Sequence, residues 1–239
     1  MKRILTFMFA MGIFTVSFAQ TKDQFSNYNM MSFSYKHDKQ WSAYLELQLR
    51  SIEDFTTPDY YEAKGGIGYN FNKNNQAFVG IGRYGTYKNE HINQEEFRFW
   101  LQYIYSQQFG KVKLDHRVRA EKRFFYYPNT DSHDNTERYR YRLAATLPLN
   151  KDKVEPGALY ANAFEEVFVG PKDPFFKRSR TFVGLGYQFN PYVGTNLGYI
   201  FQKEFSNSGN KNLHFIYLSL NFTFDRLKFN ETHHIPVAD

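Results

Sequence analysis

The densest chemistry in the sequence is guanidinium. Arg138, Arg140 and Arg142 alternate with Tyr139, Tyr141 and Leu143. Just before them Lys113, Asp115, Arg117, Arg119, Glu121 and Arg123 alternate with Leu114, Val118 and Ala120. In an extended chain, period-two spacing sends each set to its own face, so these charges form a basic ladder about three strands wide. By the same parity Arg98, Arg178 and Arg180 join that face, with Glu46, Glu62 and Glu204 as scattered acids. Glu165 and Glu166 fall on opposite faces of one segment, so only one of them can readily join; Glu165 is counted with the set. Asp115 and Glu121 are the expected partners of Arg138, Arg140 and Arg142, with Glu165 or Glu166 on the next segment. Two chemistries follow from such a ladder. One is a buried ion-pair network that fills and stiffens a small barrel, since the planar guanidinium fork pairs carboxylates bidentately. The other is a site or path for an anionic solute, since rings of Arg favour anions. The network is preferred, because small barrels more often have filled interiors.

Catalytic and metal-binding constellations are poor by comparison. His116 and His214 share parity with the apolar residues, His37 and His91 fall in connections, His133 in a long loop, and His233 and His234 near the end. General acid–base work needs a His oriented by a partner on a rigid element, and the pairing on offer, His91 or His133 with a loop Ser such as Ser132, falls in connections instead. Two adjacent His without a third donor make a weak metal site, so no metal and no cofactor is expected. The run Gly80-Ile-Gly82-Arg-Tyr-Gly85 lies inside a strand and opens no helix, which excludes a phosphate-binding glycine loop. Gly65, Gly66, Gly68, Gly184, Gly186, Gly194 and Gly198 also sit inside strands, where glycine marks curvature or crowding by a bulky neighbour.

The elements that must carry the ladder are strands. Trp41, Ala43, Leu45, Leu47 and Leu49 alternate with Ser42, Tyr44, Glu46, Gln48 and Arg50, over the length of a tilted membrane strand. The pattern recurs, giving eleven segments near 25–36, 41–50, 60–71, 76–88, 95–107, 111–124, 136–148, 157–168, 178–190, 192–205 and 213–225. Connections at 36–40, 72–75, 107–111 and 189–192 are tight, with 149–156 slacker. Those at 51–59, 88–94, 125–135, 169–177 and 206–212 are longer and polar, as expected of periplasmic turns and extracellular loops. The fold class expected is an all-β antiparallel transmembrane barrel. Single-chain bacterial barrels have even strand counts, so ten to twelve strands are expected, with twelve preferred. A soluble periplasmic β-sandwich also needs alternating strands. It fits less well, because the polar face is heavily charged and the apolar face begins and ends in Tyr and Phe. The run Leu218 to Phe224 is similar to the aromatic-ended last strand that the barrel-assembly machinery reads, although a polar tail, 226–239, follows it.

Composition supports the same class. Aromatic residues make up 20% of the chain, with 26 Phe and 19 Tyr, yet mean hydropathy is −0.62. A wet interior with aromatic girdles has this profile. Lys2 and Arg3, the apolar run Ile4–Phe18 and the small residues around Ala19 form a secretory signal over residues 1–19, cleaved before Gln20. Its apolar run is too short to span about 30 Å of hydrocarbon comfortably. There is no Cys for lipid attachment or disulfides. Formal charge is +6, falling to about +4 without Lys2 and Arg3, too weak and dispersed for nucleic acid. The partners expected are outer-membrane lipid and, during insertion, the assembly machinery.

Three stretches carry a family resemblance: Asn27-Tyr-Asn-Met-Met-Ser-Phe-Ser-Tyr-Lys36 with Lys39-Gln-Trp-Ser-Ala-Tyr-Leu-Glu46, Glu137-Arg-Tyr-Arg-Tyr-Arg142, and Arg180-Thr-Phe-Val-Gly-Leu-Gly-Tyr187. In order and spacing they resemble a Bacteroidota family catalogued as domain of unknown function 2490. The resemblance implies an outer-membrane, porin-like barrel. It implies no activity and carries over no catalytic residue. The working expectation is a structural or passive-transport barrel, with an outer-membrane lipid-modifying hydrolase as the alternative and a periplasmic binding protein as the second.

Overall fold

Alternating side chains on consecutive segments dictate a sheet with two unlike faces, and the computed structural model, which describes residues 23–51, 55–89 and 91–226, closes that sheet on itself. The strands are β1 (Asp23–Lys36), β2 (Trp41–Arg50), β3 (Tyr60–Asn70), β4 (Asn75–Lys88), β5 (His91–Phe109) and β6 (Val112–Tyr127), followed by β7 (Ser132–Pro148), β8 (Leu159–Val169), β9 (Phe176–Gln188), β10 (Val193–Glu204) and β11 (Lys211–Asp225). A single turn of 3-10 helix, Pro128–Thr130, tips the β6–β7 hairpin. The expected signal peptide at 1–19 lies outside the described residues, as does the tail beyond Arg226.

The chain is an all-β closed barrel. Each strand pairs antiparallel with the next, and β1 pairs with β11 in parallel, from Asp23 against Asn212 to Lys36 against Asp225. The parallel seam lets an odd number of strands close. Eleven strands therefore stand where parity favoured twelve, and every alternating segment read in the sequence is in the wall.

Two long connections turn out shorter than expected. The β4–β5 and β6–β7 hairpins extend to Lys88/His91 and Tyr127/Ser132. Residues such as Asn93, Gln94, His133 and Asp134 are polar on both faces, so alternation fades there although pairing continues. At the opposite end, the β1–β2 turn is held by Asp38, whose Oδ1 accepts from the Trp41 amide at 2.6 Å and the Gln40 amide at 2.8 Å. These two donors, Trp41 foremost, hold the Asp38 carboxyl below the usual range. The end bearing this turn is called the turn end below, and the other the loop end.

The outward face is greasy. Leu45, Leu47, Leu101, Val118, Tyr139, Tyr141, Leu185, Leu197, Leu218 and Leu220 are all exposed on it. The inward face is divided. Strands β2–β7 supply most of the charge, whereas β8–β11 and β1 supply a buried apolar cluster that includes Tyr28, Met30, Phe164, Phe182, Ile200 and Phe215. Phe164 stacks on Phe182 at 5.2 Å, and Phe182 meets Tyr217 edge-on at 5.1 Å.

The seam is directly testable because the chain has no Cys. Met31 and Leu220 are registered partners on the outward face, and paired strands lie about 4.8 Å apart, within disulfide range. The double variant Met31→Cys, Leu220→Cys is expected to cross-link on mild oxidation as readily as the antiparallel control pair Leu185→Cys, Leu197→Cys. A control that links while the seam pair does not would rule out this closure.

Candidate functional site

Three strands build the centre of the lumen. On β6 the inward residues include Arg117, Arg119, Glu121 and Arg123; on β7, Arg138, Arg140 and Arg142; on β8, Glu166 and Phe168. Antiparallel register sets Glu121 opposite Arg138, and Glu166 opposite Arg142 on one side and Arg180 on the other.

Glu121, with its side chain fully enclosed, is the first hub. It accepts from Arg138 Nε at 2.6 Å and Arg140 Nη1 at 2.9 Å, with Arg98 Nη1 at 3.6 Å and Arg119 Nη1 at 3.8 Å. Glu166, equally enclosed, is the second. It accepts from Arg117 Nη2 at 2.6 Å and Arg140 Nε at 2.8 Å, with Arg180 Nη1 at 4.0 Å. Arg140 thus bridges β6 and β8. Around the wall, Lys64 Nζ lies 2.8 Å from both Glu46 and Glu62, and Arg50 Nη2 lies 3.2 Å from Glu62. Glu96 accepts from Arg98 Nε at 2.8 Å and Arg123 Nε at 2.7 Å.

Aromatic rings fill the space between these charges. Arg98 lies over the Tyr84 ring at 3.6 Å, Arg50 over Tyr28 at 3.9 Å and Arg119 over Trp100 at 4.6 Å. Trp100 lies against Gly66 and Gly80, where any Cβ would strike the indole. These two strand glycines are there for the ring.

Of the residues expected from sequence, Glu46, Arg98, Arg117, Arg119, Glu121, Arg138, Arg140, Arg142 and Arg180 are buried on the inward face. Arg178 faces in nearer the loop end and pairs with Glu204. Asp115 also faces in, and it pairs with Lys113 at 2.7 Å and with Ser106. Glu165 needs correcting. It lies on the outward face and accepts from Thr181 Oγ1, while its neighbour Glu166 takes the inward place. Parity allowed one of the pair and could not choose, because β8 is apolar on both faces: Tyr160, Phe164 and Phe168 turn in, Val167 and Val169 turn out. Sequence reasoning also missed Lys64 as a bridge, Glu96 as a partner, and the inward rings Tyr84, Trp100 and Phe168. The glycines opposite Trp100 were the one signal pointing to them. His116 and His214 sit among the outward rings, against Tyr141 at 2.8 Å and against Tyr199 respectively.

Two cavities in the lumen have no lining residue in common and lie on either side of the Glu121–Glu166 layer. The one at the turn end, about 100 Å³, is bounded by Trp100, Asp115, Arg117 and the Asn72–Asn75 turn. The one at the loop end, about 310 Å³, is lined by eight basic and three acidic side chains. This second cavity can hold an anion.

The profile of the protein of unknown function family DUF2490 matches residues 25–213. The chain belongs to this family. No curated protein sequence matches this DUF2490 chain. Among solved structures, it is similar to the anion-selective porin from Comamonas acidovorans, with 14% identity and a TM-score of 0.39. The match covers 78% of this chain and 54% of the porin, so the DUF2490 chain spans about half the length of that protein. A likeness at that score carries no argument about function.

Removing one partner of a buried ion pair strands the other charge, at a cost of about 3–5 kcal/mol. Glu121→Gln is therefore expected to lower sharply the temperature at which the folded, fast-migrating form is lost from an unboiled gel. Glu165→Gln, on the outward face, should leave that temperature unchanged or raise it. Equal effects from the two variants would contradict this assignment of faces.

Proposed function

We propose that the protein is an outer-membrane β-barrel, exported by a cleaved signal over residues 1–19 and inserted by the barrel-assembly machinery, whose lumen admits small anionic solutes from its loop end. The observation that carries this reading is the opposition of the two faces of one wall. Tyr139 and Tyr141 stand exposed outside while Arg138, Arg140 and Arg142 are buried inside. A soluble protein rarely leaves so continuous an apolar surface open. A closed barrel leaves no unpaired backbone edge, as a bilayer demands. The excess of basic side chains around the loop-end cavity favours anions over cations.

The Glu121–Glu166 layer argues against a wide channel. Passage past it needs movement of enclosed guanidinium–carboxylate pairs, so transport is passive and slow, and the barrel serves first as a filled, stiff wall.

The protein is expected to fractionate with the outer membrane and to migrate differently boiled and unboiled. Tyr141→Arg should cut the folded fraction in bilayers, because a charge on a lipid-facing site costs on the order of 2–4 kcal/mol near the midplane and less toward the rims. In planar bilayers, conductance steps should be small, infrequent and anion-preferring. A soluble fraction with heat-independent migration, or large cation-preferring steps, would sink the proposal.

A further inference from the structure

Strand β8 carries two inward residues in succession along its loop-end half, Glu166 and Phe168. Register places each between two arginines. Glu166 lies between Arg142 and Arg180, and Phe168 lies between Arg140 and Arg178. The first row contains a carboxylate and the second a ring. The guanidinium carbons of Arg140, Arg138, Arg180 and Arg178 lie 4.6, 5.2, 5.3 and 5.4 Å from the Phe168 centroid. Four cations thus surround one uncharged side chain that is itself 1% exposed.

Carboxylates nearby serve these arginines from the periphery. Arg138 reaches Glu121 through Nε, Arg140 reaches both Glu121 and Glu166, Arg180 Nη1 lies 4.0 Å from Glu166, and Arg178 reaches Glu204. Arg180 spends Nε and Nη2 on the neutral Gln202 oxygen, at 2.9 and 2.8 Å. All four arginines and Phe168 line the loop-end cavity, whose volume of about 310 Å³ is at the small end of the range for ligand sites. The cavity faces away from lipid behind a continuous wall and is floored by the Glu121–Glu166 layer.

We propose that the Arg cluster around Phe168 is a binding site for a water-borne phosphoryl dianion, either inorganic phosphate or the phosphate of a small monoester. This rests on the reading that the lumen admits small anions from the loop end. A compact dianion suits the site better than chloride, because the guanidinium fork offers paired donors to phosphate oxygens and the surplus of positive charge exceeds one. The floor makes it a holding site: the anion returns to the loop end far more readily than it passes the layer.

The test uses the mature full-length barrel, folded in a phosphate-free uncharged detergent and titrated calorimetrically with sodium phosphate against sodium chloride at equal ionic strength. Phosphate is expected to bind with saturation and chloride to show no comparable heat. Phe168→Glu places a carboxylate at the centre of the cluster, and should weaken phosphate by at least about tenfold while the heat-modifiable gel form persists. Arg178→Gln, farther from the hubs, should weaken it by roughly tenfold and serves if Phe168→Glu does not fold. Wild-type protein that binds phosphate no better than chloride, or variants that retain wild-type affinity, would overturn the site. Competition by an added phosphomonoester lipid in mixed micelles, without competition by glycerol phosphate, would overturn the water-borne source. A folded, membrane-inserted barrel that ignores phosphate removes this site alone, whereas failure to fractionate with the membrane removes the reading beneath it.

Discussion

Charge enclosed by a β-wall must be met inside that wall, and the interior of this barrel is arranged around that requirement. Ions buried without partners are far costlier than any single packing contact, so the positions of Glu121 and Glu166 constrain much else. Glu121 is registered against Arg138 on one side and Trp100 on the other. The indole must lie flat for Arg119 to cross it and approach Glu121, and it lies flat because β3 and β4 present Gly66 and Gly80 beneath it. Arg140 then ties Glu121 to Glu166, so β6, β7 and β8 are held by charge as well as by backbone pairing. The network contributes specificity of register more than net stability. A one-residue slip would turn every arginine outward.

How much of this was legible in the sequence depends on how different the two faces of each strand are. On β2, β6 and β7 one face is charged and the other apolar, and parity alone places Arg117, Arg119, Arg138, Arg140 and Arg142 on the inward face. On β8 apolar residues stand on both faces, and the first half of β11 turns Leu213 and Phe215 in and Asn212 and His214 out. Phe164, Phe168, Leu213 and Phe215 therefore give no sign of turning in, and Glu165 and Glu166 were not separable. Above the apolar belt the strands are polar on both faces, which hides the extensions of β4 to β7. The ion-pair partners are a further step removed. Asp115 and Glu121 are both inward acids on one strand, yet register sets Glu121 against Arg138 and Asp115 against Ala144.

Strand number was out of reach for a different reason. Parity counting assumes that the last strand meets the first antiparallel, and alternation says nothing about the direction of that pairing. Here the β1–β11 seam is parallel, which puts Asp23 at the loop end and Asp225 at the turn end. The lumen side of the seam near the turn end is built of small neutral groups that satisfy one another. Ser32 Oγ donates to Asn221 at 2.8 Å, and Ser219 Oγ accepts from Asn196 at 3.0 Å and Asn221 at 3.1 Å. Such a patch closes without drawing on the carboxylates across the lumen.

The distribution of charge along the axis follows from the same logic. On the row Arg142–Glu166–Arg180 the β8 residue is an acid, and the layer it anchors lies between the turn-end and loop-end cavities. One pleat nearer the loop end, on the row Arg140–Phe168–Arg178, the β8 residue is a ring. It can hold guanidinium groups by their faces but cannot neutralise them, since a cation–π contact leaves the cation's charge in place. The carboxylates that meet these arginines therefore reach them from neighbouring rows, and the loop-end cavity carries eight basic against three acidic side chains. Had Phe168 been acidic, the cluster would have held a counter-charge at its centre, and the lining would have carried four acidic side chains against the same eight basic ones. A ring at this one position on β8 thus leaves four guanidinium groups gathered about a side chain that carries no charge of its own.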